Sequence, residues 1–420
     1  MGLRDALADT RPLRVRSFRR LWTANIITVV GAQLTVVAVP AQIYAMTGSS
    51  AYVGLTGIFG LVPLVVFGLW GGALADAMDR RRLLLISTFG LIATAALFWL
   101  QAALGNTDVW LLLSLFAVQQ AFFAINQPTR NAVLPKILPK ELLPAANSLN
   151  MTVMMAGAIA GPLVGGALIP VLGFSWLYFA DTITLFATLG AVWALPALPV
   201  EGVVSAPGLK SVIDGFRYLR LHPVLMMSFV VDIIAMVFGM PRALFPEMAH
   251  ENFGGPAEGG LAFALLFAAI PAGAVLGGVF SGWVSRVQRH GVAVIVAIVV
   301  WGAAMALFGL AVGLADGGAG LMLAVAVVML MAGGAADMVS AAFRTSMLQS
   351  AAADEVRGRL QGIFTVVVAG GPRIADVGHG GAASLVGAPA AAAGGGVLVV
   401  VLVLLAAALV PAFVRYRATG

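Results

Sequence analysis

Apolar residues run along this chain in blocks of about twenty, and its polar residues are gathered into the short gaps between them. A helix of that length rises about 30 Å, enough to cross the hydrocarbon core of a bilayer. Dividing the chain at its Gly, Pro and charged breaks predicts spans over 21–46, 52–75, 83–104, 109–128, 146–170 and 174–195, then over 223–245, 260–283, 291–314, 320–343, 361–386 and 390–413. The expected fold class is an all-α membrane protein of twelve transmembrane helices, with both termini on one side. The first block, Leu21 to Met46, is longer than the apolar core of a signal peptide and leads straight into another span, so it is expected to stay in the mature chain.

Composition sharpens this picture. The chain is 61% hydrophobic and 10% charged, against about 45–50% apolar and about 25% charged in soluble domains. A net charge of +6 would suit a nucleic-acid partner if the cations were clustered. Instead 22 of the 24 Lys and Arg fall in alternate gaps: before Leu21 and near 80–82, 130–140, 210–220, 286–289, 344–359 and the tail. Acidic Glu247 to Glu258, Asp108 and Asp316 fall in the other gaps. By the positive-inside rule this predicts cytoplasmic termini in a bacterial plasma membrane, and no nucleic-acid partner. Cysteine is absent and His222, His250, His290 and His379 are far apart, so neither a metal site nor a cofactor is expected.

The pattern repeats. At an offset of 214, Arg130 aligns with Arg344, Leu134 with Leu348, Glu141 with Glu355 and Gly157 with Gly371. The expected organisation is an N-terminal six-helix bundle over 1–195, a linker over 196–222 and a C-terminal six-helix bundle over 223–420. Within the linker, Leu209 to Leu221 has helical apolar spacing and reads as an amphipathic helix on the inner membrane surface. Two parallel repeats predict a substrate site near the midplane where the halves meet, and alternating access.

Three stretches carry a resemblance to a known family. Gly72-Ala-Leu-Ala-Asp76-Ala-Met-Asp-Arg80-Arg-Arg82, between the second and third spans, resembles the loop signature of the major facilitator superfamily. Gly157-Ala-Ile-Ala-Gly161-Pro162-Leu-Val-Gly165-Gly166 resembles the fifth-span motif of its drug–proton antiporters. Asn126 to Pro135, Asn147, Asp354 to Arg359 and Gly370-Gly-Pro372 resemble its siderophore (enterobactin) exporters over nearly the whole chain. The resemblance implies an inner gate of Asp76, Arg80, Arg130 and Arg344, and export of a small molecule against protons. The first two stretches also have plainer readings: the arginines fix topology, and the glycines flatten one helix face so that a neighbour packs closely.

Charges inside spans cost about 2.5–3.5 kcal/mol each on insertion scales, so they point to mechanism. Asp232, about nine residues into the seventh span, is the first choice for a proton carrier, because burial favours the neutral form of a carboxylate. Asp181, Arg373 and Asp376 are further candidates. Arg373 and Asp376 stand three apart and serve equally as a coupling site or a static pair. Asp337 reads as a partner of Arg344 or of backbone, Asp181 as wetted by an outer vestibule, and His379 as a packing residue. Polar Asn25, Gln33, Gln119 and Gln120, with the aromatic Phe122, are the candidates for lining a substrate cavity.

The expected function is secondary active export of a small organic molecule, a catecholate siderophore or a drug, by proton antiport from a monomer. Broad multidrug or macrolide efflux and lipid or metabolite transport are the alternatives. No Gly-Lys-Ser or Gly-Lys-Thr occurs to hold ATP, and no His-Glu-x-x-His or cysteine to support an intramembrane enzyme.

Overall fold

The computed structural model describes residues 9–198, 217–318, 320–351 and 354–417; the side chains of 69, 71–73, 75–77, 350, 351, 354–359 and 361–366 are outside the described set. The described elements are helical. The crossing helices are α1 (Arg16–Thr47), α2 (Ser50–Ala77), α3 (Arg80–Ala103), α4 (Val109–Ile137), the long element Leu143–Trp193, then α7 (Pro223–Gly239), α8 (Leu261–Val279), α9 (His290–Gly313), α10 (Leu321–Ala351), α11 (Asp354–Val386) and α12 (Ala388–Leu409). Leu143–Trp193 breaks at Gly173, whose φ of 77° only glycine adopts cheaply, giving α5 (143–172) and α6 (174–193). Among the described residues, ten apolar elements are long enough to cross a membrane. Counting the two sides of the Gly173 break separately gives eleven, and the more polar α11 occupies the place of the remaining expected span.

Several helices outrun their predicted spans. Helix α4 continues nine residues past 128 through Pro128 and Arg130, α10 runs eight past 343, and α11 begins seven before 361. Hydropathy marks where the lipid ends, whereas a helix continues for as long as its backbone bonds are made. The opposite happens at α7, which stops at Gly239 rather than 245, because Pro241 lacks the N–H a further turn needs. A 3-10 turn, Arg242–Leu244, follows.

The connections sort by face. All the positive-φ glycines of the described chain, including Gly48, Gly105, Gly173, Gly317 and Gly387, lie in connections that follow odd-numbered helices. Arg286 and Arg289 follow the even-numbered α8, and Arg242 follows α7. At the start of α3, Asp79 caps the helix by accepting the Arg82 N–H at 2.9 Å.

The chain groups into two units, residues 1–39 with 62–206, and residues 40–61 with 207–420. Residues 40–61, the adjoining ends of α1 and α2, therefore pack with residues that follow the linker. In the first unit Leu21, Ala24, Leu84, Val133 and Val192 join α1, α3, α4 and α6. In the second, Leu225, Phe229, Leu348 and Leu360 join α7, α10 and α11, and Trp301 Nε1 on α9 donates to Ala235 O of α7 at 3.2 Å. The amphipathic helix expected over 209–221 lies outside the described residues except for 217–221, which are helical.

Candidate functional site

Helix α10 carries Asp337, Ser340 and Arg344 at i, i+3 and i+7, which puts them on one face. In the second unit that face meets Asp232 of α7. Arg344 and Asp232 form an ion pair, with the two side chains 4% and 1% exposed. Arg344 Nε donates to Ser340 Oγ at 3.2 Å, and its Nη2 lies 3.8 Å from Asp337 Oδ1. Asp337 is 30% exposed, so one end of the cluster is open while the other is sealed. One guanidinium between two carboxylates carries a net charge of −1 when both acids are ionised and zero when one is protonated. Sequence spacing brought Asp337 to Arg344; the pairing of Arg344 with Asp232, across more than a hundred residues, had no local signal. Arg344, expected at the inner gate, is a buried partner of Asp232.

Helix α11 places Arg373, Asp376 and His379 in the second unit. The guanidinium of Arg373 lies over Gly60 of α2, so close that a Cβ there would stand 3.0 Å from it. Gly57 and Gly54, one and two turns earlier, face the backbone of Arg373 and Asp376. Arg242, from the turn packed on α11, and Arg373 are the cations in electrostatic reach of Asp376. His379 Nδ1 stands 3.1 Å from Ala375 O and its ring abuts Gly395 of α12, a packing position as expected.

In the first unit Asp181 is 2% exposed. The expectation of a wetted vestibule is corrected: α1 covers Asp181, because Gly31 lets that helix close on it. Thr35 Oγ1 donates to Asp181 Oδ2 at 2.5 Å, while Oδ1 has no hydrogen-bond partner among the described residues. Two turns away Thr28 and Thr188 share a hydroxyl hydrogen bond of 2.6 Å.

Gly157, Gly161 and Gly165 face Val29, Gln33 and Val37 of α1, leaving no room for a methyl group. Pro162 and Gly166 are buried within the same stretch. Gln33, expected in a substrate cavity, is thus half-buried against Gly161, and Phe122 packs on Gly90 of α3 rather than standing free. Asn25, Gln119 and Gln120 are half-buried. Asn126 binds α4 to α3, donating to Ser87 Oγ at 2.9 Å.

Of the expected inner gate, the Asp76 side chain lies outside the described set. Arg80 and Arg130 are half-buried. The acid that organises this loop is Asp79, which the sequence reading passed over: its Oδ2 also accepts the Leu198 N–H at 2.7 Å, tying the start of α3 to the end of α6. Its signal was an Asp standing just before a helix start.

The apolar helical spans and the buried Asp232–Arg344 pair define a polytopic membrane transporter of the major facilitator type. Residues 7–417 match the family model described as transmembrane secretion effector, and the chain belongs to that family. It is 30% identical over 390 residues to the enterobactin exporter EntS of Shigella boydii serotype 18, covering 91% of this chain and 88% of that one. It is 29% identical, with the same coverage, to the enterobactin exporter EntS of Escherichia coli O1:K1. In fold it is similar to a variant of the nucleoside transporter NupG, with a TM-score of 0.76 at 13% identity over 94% of this chain and 100% of that one. A bacterial homologue of ferroportin gives a TM-score of 0.69 at 14% identity over 95% and 99%.

Proposed function

We propose that this protein exports a catecholate-type siderophore from the bacterial cytoplasm by proton antiport, working as a monomer with both termini cytoplasmic. The observation that carries the coupling is the Asp232–Arg344–Asp337 cluster. A proton arriving at the open Asp337 end neutralises one acid and frees Arg344 to re-partner, so the buried charge changes in step with the conformation. The likeness to enterobactin exporters over 91% of the chain supports the substrate. Asp76, Arg80 and Arg130 act at the inner gate in this reading, and Arg373 with Asp376 neutralise one another beside Gly60. One proton entering down about 100 mV supplies about 2.3 kcal/mol, which sustains roughly fifty-fold accumulation of a neutral substrate.

Proteoliposomes with an imposed pH gradient, loaded with a catecholate siderophore or a cationic dye, test the substrate. Gradient-dependent movement of the siderophore alone is expected. Movement of the dye at a comparable rate makes the protein a broad drug exporter, and movement of neither removes the siderophore reading.

A further inference from the structure

Where α3 begins and α6 ends, Asp79, Arg81, Arg82, Leu85, Trp193 and Ala197 line a cavity of about 360 Å³. Arg81 closes its back by donating from Nη2 to Trp193 O at 2.7 Å, while its Nε has no hydrogen-bond partner among the described residues. Asp79 is already committed, one oxygen to the Arg82 N–H and the other to the Leu198 N–H. Two guanidiniums beside one carboxylate, whose two oxygens each already accept a backbone N–H, leave the cavity with an excess positive charge and an unfilled donor at Arg81 Nε, a setting for an anion.

Beyond Leu85 and Trp193, which line the cavity, both helices carry exposed apolar side chains. Ile86 and Phe89 of α3 and Phe186 and Trp193 of α6 are 49%, 50%, 50% and 63% exposed. The two helices stay packed along the seam between them, with Ile92 and Ala95 against Leu185. A charged pocket at the end of a span with exposed aromatics running towards the bilayer matches a molecule with an anionic head and apolar tails.

We infer that the α3–α6 seam binds an anionic glycerophospholipid, with its phosphate between Arg81 and Arg82 and its acyl chains along Ile86, Phe89 and Phe186. Placing it in the inner leaflet rests on the proposed topology; binding itself does not depend on transport. The exposed Arg82 makes the head-group contact from the open side, and Arg81 holds the floor.

Native mass spectrometry of the full chain in detergent, titrated with phosphatidylglycerol, phosphatidylcholine or inorganic phosphate, tests this without any transport assay. Phosphatidylglycerol should be retained in preference to phosphatidylcholine, Arg82→Gln should weaken its retention roughly fivefold, and Arg82→Lys should restore most of it. Equal retention of the two lipids by the unaltered protein, or unchanged retention in Arg82→Gln, overturns the proposal. Displacement of phosphatidylglycerol by inorganic phosphate at comparable concentration also overturns it, in favour of a free-anion site.

Discussion

Two buried aspartates, one in each unit, sit in opposite settings. Asp181 in the first unit has a threonine hydroxyl on one oxygen and nothing on the other among the described residues. Asp232 in the second unit has a guanidinium, which a second, partly exposed carboxylate also approaches. A buried carboxyl without a cation is tolerated as the neutral acid, which then acts as a polar clamp between helices. A carboxylate that shares a cation with a second acid has two arrangements of similar charge, and that is what a switching element needs. In the proposed mechanism Asp232 carries the coupling and Asp181 holds helices together, and the following variants separate the two roles.

The largest effect is expected from Arg344→Leu. It strands Asp232 in the interior, and breaking a buried pair in this way costs about 3–5 kcal/mol, to be read as a lowered thermal unfolding midpoint. Adding Asp232→Asn to that variant should return most of the lost stability without returning gradient-driven export, because the stranded charge is gone and so is the switch. If the double variant stays as unstable as Arg344→Leu, packing rather than charge dominates the site.

The smallest effect is expected at Asp181. Thr35→Val should cost about 0.6 kcal/mol, the average for a hydrogen bond between membrane helices, and Asp181→Asn should leave the dependence of export on the pH gradient unchanged. Loss of that dependence in a folded Asp181→Asn protein would erase the distinction between the two acids and place a coupling group in the first unit.

The fold was largely legible in the sequence because lipid sets one dominant constraint, a length of apolar helix, and the alternating arginines then order the spans. The closely packed glycines of 157–166 were legible as a flattened face, though not their partner: only the structure shows that Val29, Gln33 and Val37 of α1 fill it. Asp232 stood out as a charge near the middle of a span. Arg344 did not, since its place near the end of an apolar block suggested an inner loop, and the longer α10 is what carries it into the interior. Side chains such as Gln33 and Phe122 looked like cavity residues by type, yet their surroundings depend on which glycine lies opposite, and that is a tertiary fact.

The most direct test of the coupling is a pair of assays on Asp232→Asn in proteoliposomes: siderophore efflux driven by an imposed pH gradient, and exchange of labelled for unlabelled siderophore with no gradient. The account predicts that exchange survives, while gradient-driven accumulation falls from as much as roughly fifty-fold to none. Gradient-driven accumulation at the level of the unaltered protein would contradict it and take Asp232 out of the mechanism.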